Sequence, residues 1–287
     1  MVQLFNFYYF LYVIFAFGLL FGLYFFLRNK NKKTSSLVLF SILFSAFVMH
    51  FLRLTFDSYQ QWMPYAIRMV TPENICAVSV LVFPWIFLSK NMYLKDYMFY
   101  LGFISGIAAT FFPIDVIGFR MFEPETIRFY HTHIILWVIP TLMVMLKLHT
   151  LDYKRIPKIP LLALAMLGVI LVNEIILIGT GFVPMHHLFS NQVRNSALIF
   201  GPLADVELVG RMFTAMTPDF FLTVPVGPRA GEVFYWPILW LAIPFYIYAS
   251  IAALLLSLPF EYKNIKDDIL SLKVKIKSKL ERISKLC

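Results

Sequence analysis

Charge is what this sequence has least of. Of its 287 residues only 14% are charged, against 60% hydrophobic, and mean hydropathy is +0.75. A soluble domain carries roughly a quarter of its residues as charge to cover its surface. The scarcity excludes a soluble enzyme, a nucleic-acid binder and a disordered chain, although the net charge of +9 would by itself suggest nucleic acid. Cysteine is nearly absent: Cys76 and Cys287 are the two present, too few for a disulfide framework. No cleavable signal peptide is expected, because the first apolar stretch (residues 4–27) is too long for a signal core and lacks a basic leader. No internal repeat is visible, which weakens an inverted-repeat transporter.

Long apolar runs are what the chain does have. A bilayer core takes roughly 20 apolar residues in a helix. Seven stretches have that length, at about 4–27, 35–56, 70–89, 97–118, 128–147, 159–182 and 233–257. Helices are the reading, since lipid offers no partner to unpaired backbone groups. The expected fold is therefore all-α: a bundle of seven transmembrane helices over 1–258 and a cytoplasmic basic tail over 259–287. Lysine and arginine set the orientation. The loops after spans one, three and five and the tail hold 18 of the 25 basic residues, including every lysine. The amino terminus is expected outside and the carboxyl terminus inside, in a multi-pass protein of the cell membrane. Arg53, Arg68, Arg120, Arg128, Arg194, Arg211 and Arg229 fall at or just beneath the outer face.

In the tail, Ile265, Ile269, Leu272, Ile276, Leu280 and Ile283 recur at helical spacing between lysines. That pattern suits an amphipathic helix on the anionic inner leaflet, with a solvated charged tail as the alternative. Cys287 fits no terminal lipidation signature. Residues 183–232 form one long outer connection with five prolines, expected to fold back as a lid or a half-embedded segment.

Ionisable groups inside spans are costly and usually face an interior cavity. Here they share a depth in the outer leaflet: His50 and Arg53 on span two, Glu73, Asn74 and Cys76 on span three, Asp115 on span four, His131 and His133 on span five, Asn173 and Glu174 on span six. Each has a plainer reading. His50 and Arg53 can bond between helices, Glu73 can serve a helix start after Pro72, Cys76 can fill apolar space, and Asp115 can end a helix after Pro113. His131 and His133 lie about 200° apart on a regular helix, so both cannot face one cavity. Glu174, near mid-bilayer, is hardest to dismiss. The common depth favours one polar pocket.

Such a pocket suits acyl transfer. A cysteine beside a histidine forms a nucleophile–base pair, which a carboxylate or asparagine can orient. A thiolate is favoured near a helix amino terminus, where Cys76 stands. Zinc is the rival, but no compact ligand motif is present, so neither metal nor other cofactor is expected.

These same residues carry a resemblance. Residues 71–84, TPENICAVSVLVFP, resemble the Pro-Leu-His-Leu-Cys segment of the YwaF / transmembrane protein 164 family; Pro72, Cys76 and Pro84 match, with Asn74 where the family has histidine. Residues 129–140, FYHTHIILWVIP, resemble its histidine segment, in a register that selects His133 with Pro140. Gly106, Pro113 and Asp115 match its Gly…Ala…Pro-Asp segment, and Asn173, Gly179 and Thr180 a further one, while Gly181 and Phe182 do not. The likeness covers about 35–182 and faintly the last span.

The resemblance implies acyl transfer on lipids through a cysteine. Carried onto this chain, Cys76 is the nucleophile and His133 the base, with Asp115 or Glu174 as the orienting acid. His50, Arg53, Asn74, His131 and Asn173 then fall to substrate binding. Asn74 can donate to an oxyanion but cannot shuttle a proton. The expected partners are membrane lipids. The runner-up is a heptahelical binder or transporter of a small polar solute or lipid headgroup, and a third reading is an assembly subunit.

Overall fold

Asparagine starts four of the helices. Asn6 Oδ1 accepts from Tyr9 N at 2.9 Å and opens α1 (Phe7–Leu27). Asn31 accepts from Thr34 N at 2.8 Å and opens α2 (Lys32–Leu52). Asn74 and Asn91 do the same for α4 (Ile75–Leu88) and α5 (Met92–Phe111). Each satisfies an amide that the first turn leaves without a helical acceptor. Proline takes that position instead in α6 (Pro124–Met145) and α7 (Ile159–Gly179), where a missing N–H costs nothing. A four-residue α3 (Asp57–Gln60), an α8 (Glu207–Thr214) and a 46-residue α9 (Leu239–Ser284) complete the order. The computed structural model describes residues 1–187, 197–202 and 207–284, and the side chains of these except at 207 and 278–284. No strand occurs among them. Arg194, Lys285 and Cys287 lie outside the described residues, as do the side chains of Lys279, Leu280, Arg282 and Ile283.

This is an all-α polytopic membrane protein, with six helices long and apolar enough to cross a bilayer. The third expected span differs. It is the 14-residue α4 rather than a full run over 70–89, about 21 Å against a core of about 30 Å. Pro72, which lacks an N–H, and the Asn74 cap set its late start, after the 3₁₀ turn Tyr65–Val70. The fourth run is displaced as well. Asn91 starts α5 early, and the helix stops at Phe111 before Pro113, so Asp115 sits past α5 in the 3₁₀ turn Ile114–Val116, at the end of the apolar span Met92–Val116.

At the centre stands α6, with 83% of its apolar window buried against at most 39% in any other span. It packs on α1, α2, α4 and α5. Two glycines let α5 come close. A Cβ on Gly102 would collide with the Leu136 carbonyl, and one on Gly106 would lie 2.8 Å from the carbonyl of His133. A second cluster joins Val78 of α4, Leu167 and Ile170 of α7, and Trp240 and Leu241 of α9 to Ile199 and Phe200 from the long connection.

The lysine-bearing segments meet at one end. Asp96, near the start of α5, accepts from Arg155 Nε at 2.5 Å and pairs with His149 at 2.7 Å, both from the α6–α7 loop. Asp268 of α9 accepts from Tyr153 and Lys154 of that loop. At the other end, Val2 exchanges backbone bonds with Gly118 and Phe119. The tail continues α9 through Pro259 and is not a separate helix, with Ile269, Leu272 and Ile276 exposed.

Candidate functional site

The end opposite the lysine-bearing segments contains a cavity of about 930 Å³. Eight of the ten residues singled out in the sequence line it: His50, Arg53, Glu73, Asn74, Cys76, Asp115, His133 and Glu174. They come from several helices and the turns beside them. The last turn of α2 and the 3₁₀ turn after it bring His50 and Arg53, the start of α4 brings Asn74 and Cys76, and the turn after α5 brings Asp115. His133 belongs to α6 and Glu174 to α7.

His131 and Asn173 do not line it. His131 faces away from His133, with Nε2 3.0 Å from Ser45 Oγ on α2; residues two apart on a helix point to opposite sides. Asn173 Nδ2 donates to Thr71 Oγ1 at 3.0 Å and so ties α7 to the lead-in of α4. These placements are contacts between protein elements.

Cys76 is a free, partly buried thiol at the second residue of α4. Its own amide therefore has no helical acceptor. The thiol neighbours the hydroxyl of Ser105 on α5, and no hydrogen bond joins it to His133 among the described residues. Asn74 Oδ1 is committed to Ala77 N at 2.8 Å, which leaves the amide –NH₂ as the part able to reach a ligand. His133 is 8% exposed, and its Nδ1 lies 2.8 Å from the Phe129 carbonyl. The expected carboxylate orienter is thus not what holds the ring. Among the described residues no hydrogen bond joins Asp115 or Glu174 to the ring, and the carbonyl one turn back is what engages it.

Sequence reading missed part of the wall. Arg128 pairs with Glu125 at 2.8 Å, a spacing of three on α6 that was open to view. Thr132 and Arg68 also line the cavity. Four of the lining residues carry buried polar atoms without a partner: His50 Nε2, Arg53 Nε, Glu125 Oε1 and Thr132 Oγ1. Such atoms are uncommon in folded proteins and ask for a reason. On the side of Asp115 the wall is apolar, and its Phe112, Ile114 and Phe119 are exposed. None of the described residues of 183–232 lines the cavity, and residues 188–196 and 203–206 of the expected lid lie outside the described residues. Among the described residues no group of three or more His, Cys, Asp or Glu is placed to hold a metal ion.

No curated protein and no solved structure matches this chain. A family model does: that of the TMEM164 family, over residues 3–203, which includes every residue named in the cavity wall. The match takes in well over half of the chain, which belongs to the TMEM164 family.

Proposed function

We propose that the chain is a lipid-acting membrane enzyme that transfers or hydrolyses an acyl group in the outer leaflet, with Cys76 as nucleophile and His133 as base. The observation that carries this reading is the shared cavity: a free thiol at a helix start and a histidine whose Nδ1 is already engaged border the same space. The thiol proton passes to His133 Nε2 as Sγ bonds to the ester carbonyl carbon. The ester C–O bond then breaks, and the leaving oxygen takes the proton back from His133. The acyl thioester is resolved by an acceptor hydroxyl or by water, which restores the thiol. The Cys76 amide and the Asn74 –NH₂ are the donors for the transient oxyanion. The thiol–imidazole bond that the static structure lacks is of the kind that tightens only with substrate bound.

The apolar wall at Phe112, Ile114 and Phe119 supports lateral entry of a lipid chain. The packing of Phe83, Tyr97, Met98, Tyr100 and Leu136 below the cavity, each at most 1% exposed, disfavours a path to the other face. We place the amino terminus and the cavity outside the cell membrane, and the basic continuation of α9 among anionic inner-leaflet lipids. The second reading, a heptahelical binder, draws on Asn74 standing where the family motif has histidine. Purified protein in lipid discs, assayed for acyl release from a phospholipid, separates the two. Loss of turnover in Cys76→Ala with unchanged folding supports the enzyme; undiminished turnover leaves the binder.

A further inference from the structure

A cation held out of water is costly unless an anion stands beside it, and arginine cannot relieve the cost by losing its proton. Arg53 is only 8% exposed. Its Nη1 donates to the Met69 carbonyl and its Nη2 to the Tyr59 hydroxyl, both at 2.7 Å, and its guanidinium lies 4.8 Å over the Tyr59 ring. All of these partners are neutral. Its Nε is buried without a partner, and so is Nε2 of His50 one turn earlier.

Other charges in the wall do not fill the gap. Arg128 is set against Glu125. Glu73, Asp115 and Glu174 line the cavity, yet no ion pair to Arg53 or Arg68 forms among the described residues. Arg68 is half-buried and reaches the same space from the 3₁₀ turn Tyr65–Val70. Two guanidinium groups from one irregular segment thus border the cavity with no ion-paired carboxylate among the described residues. A single arginine fork satisfies a carboxylate, whereas a phosphate presents oxygens in several directions and suits two.

We propose that Arg53 and Arg68 form a subsite for a phosphate group bearing net negative charge, so that the cavity selects an anionic headgroup over a zwitterionic or neutral one. The phosphate is that of a lipid headgroup or free in solution. The lipid source rests on the lipid reading given above; the subsite does not depend on the cysteine chemistry.

The test uses the full chain in phosphatidylcholine discs with or without phosphatidylglycerol. Retained lipid is counted by native mass spectrometry, and the unfolding midpoint is followed with and without millimolar inorganic phosphate. Wild type and Cys76→Ala should hold phosphatidylglycerol about tenfold more tightly than phosphatidylcholine, and Arg53→Gln and Arg68→Gln should each lose most of that preference. The basic tail is present in every variant and cancels. Arg68 has no side-chain partner to lose among the described residues, so Arg68→Gln decides the matter if Arg53→Gln fails to fold. Stabilisation of wild type but not Arg68→Gln by inorganic phosphate, without a lipid preference, assigns the site to free phosphate. Equal retention of both lipids with no phosphate effect, or an unchanged preference in Arg68→Gln, overturns the proposal. Acyl transfer that survives Cys76→Ala while the preference holds rejects the cysteine chemistry and leaves the subsite standing.

Discussion

His133 Nδ1 and the carbonyl of Phe129 stand 2.8 Å apart, one turn of α6 from each other. A carbonyl only accepts, so Nδ1 carries the proton and the neutral ring offers Nε2 as its base. The orientation is built into the helix and owes nothing to an acid from a neighbouring one. Asp115→Asn and Glu174→Gln should therefore leave acylation of Cys76 within about threefold of wild type. His133→Gln should lower it by about 100- to 10,000-fold, the usual range for a lost general base. Initial rates with a lipid-like ester measure both, and a drop in Asp115→Asn as large as that in His133→Gln would restore the carboxylate to the mechanism.

Gly106 sets the position of that histidine from the other side. An added Cβ would meet the His133 carbonyl at 2.8 Å and Trp137 Cβ at 3.0 Å, so α5 and α6 must part. Gly106→Ala should destabilise the bundle by about 1–3 kcal/mol, as overpacking does, and depress activity beyond the loss of folded protein. Gly168, with open space around it, serves as the control. Unfolding in a mild detergent, followed by tryptophan fluorescence, reads the difference.

Asn74 has two roles that separate by substitution. Asp keeps the cap oxygen and removes the –NH₂, whereas Ala removes both. Asn74→Ala should cost about 0.5–2 kcal/mol as a lost cap. Asn74→Asp should hold stability near wild type while slowing acylation, as the loss of an oxyanion donor requires. Equal activity in Asn74→Asp and wild type would make the residue a cap alone.

At the far end, Asp96 carries both Arg155 and His149 in a site where its own side chain is 1% exposed. Removing its charge strands a largely buried guanidinium, so Asp96→Asn should destabilise by about 3–5 kcal/mol, with the cavity chemistry intact in whatever fraction folds. Thermal unfolding together with active-site titration checks both halves of that statement.

Much of this was legible in one sequence, because bilayer thickness fixes the length of apolar runs and the lysines mark one end of the bundle. The convergence of His50, Cys76, His133 and Glu174 followed from their common depth. The i, i+2 spacing already said that His131 and His133 part company. Other features hid for physical reasons. α4 is short because Pro72 and Asn74 delay its start, a local backbone effect within a stretch whose average is apolar. The four asparagine caps were visible and went unread. Asp96 announced itself only as one acid near a lysine-bearing loop, since its partners lie more than 50 residues away. The missing ion pair of Arg53 is a fact about space and leaves no trace in composition.

The central claim is that Cys76 accepts an acyl group. Its most direct test is peptide mass spectrometry of the purified protein after brief exposure to an activated long-chain ester, quenched at acid pH. A hydroxylamine-sensitive acyl mass on Cys76, formed in wild type and suppressed in His133→Gln, is the result expected. Acyl turnover by wild type with no acyl mass on Cys76, or turnover undiminished in Cys76→Ala, would contradict it.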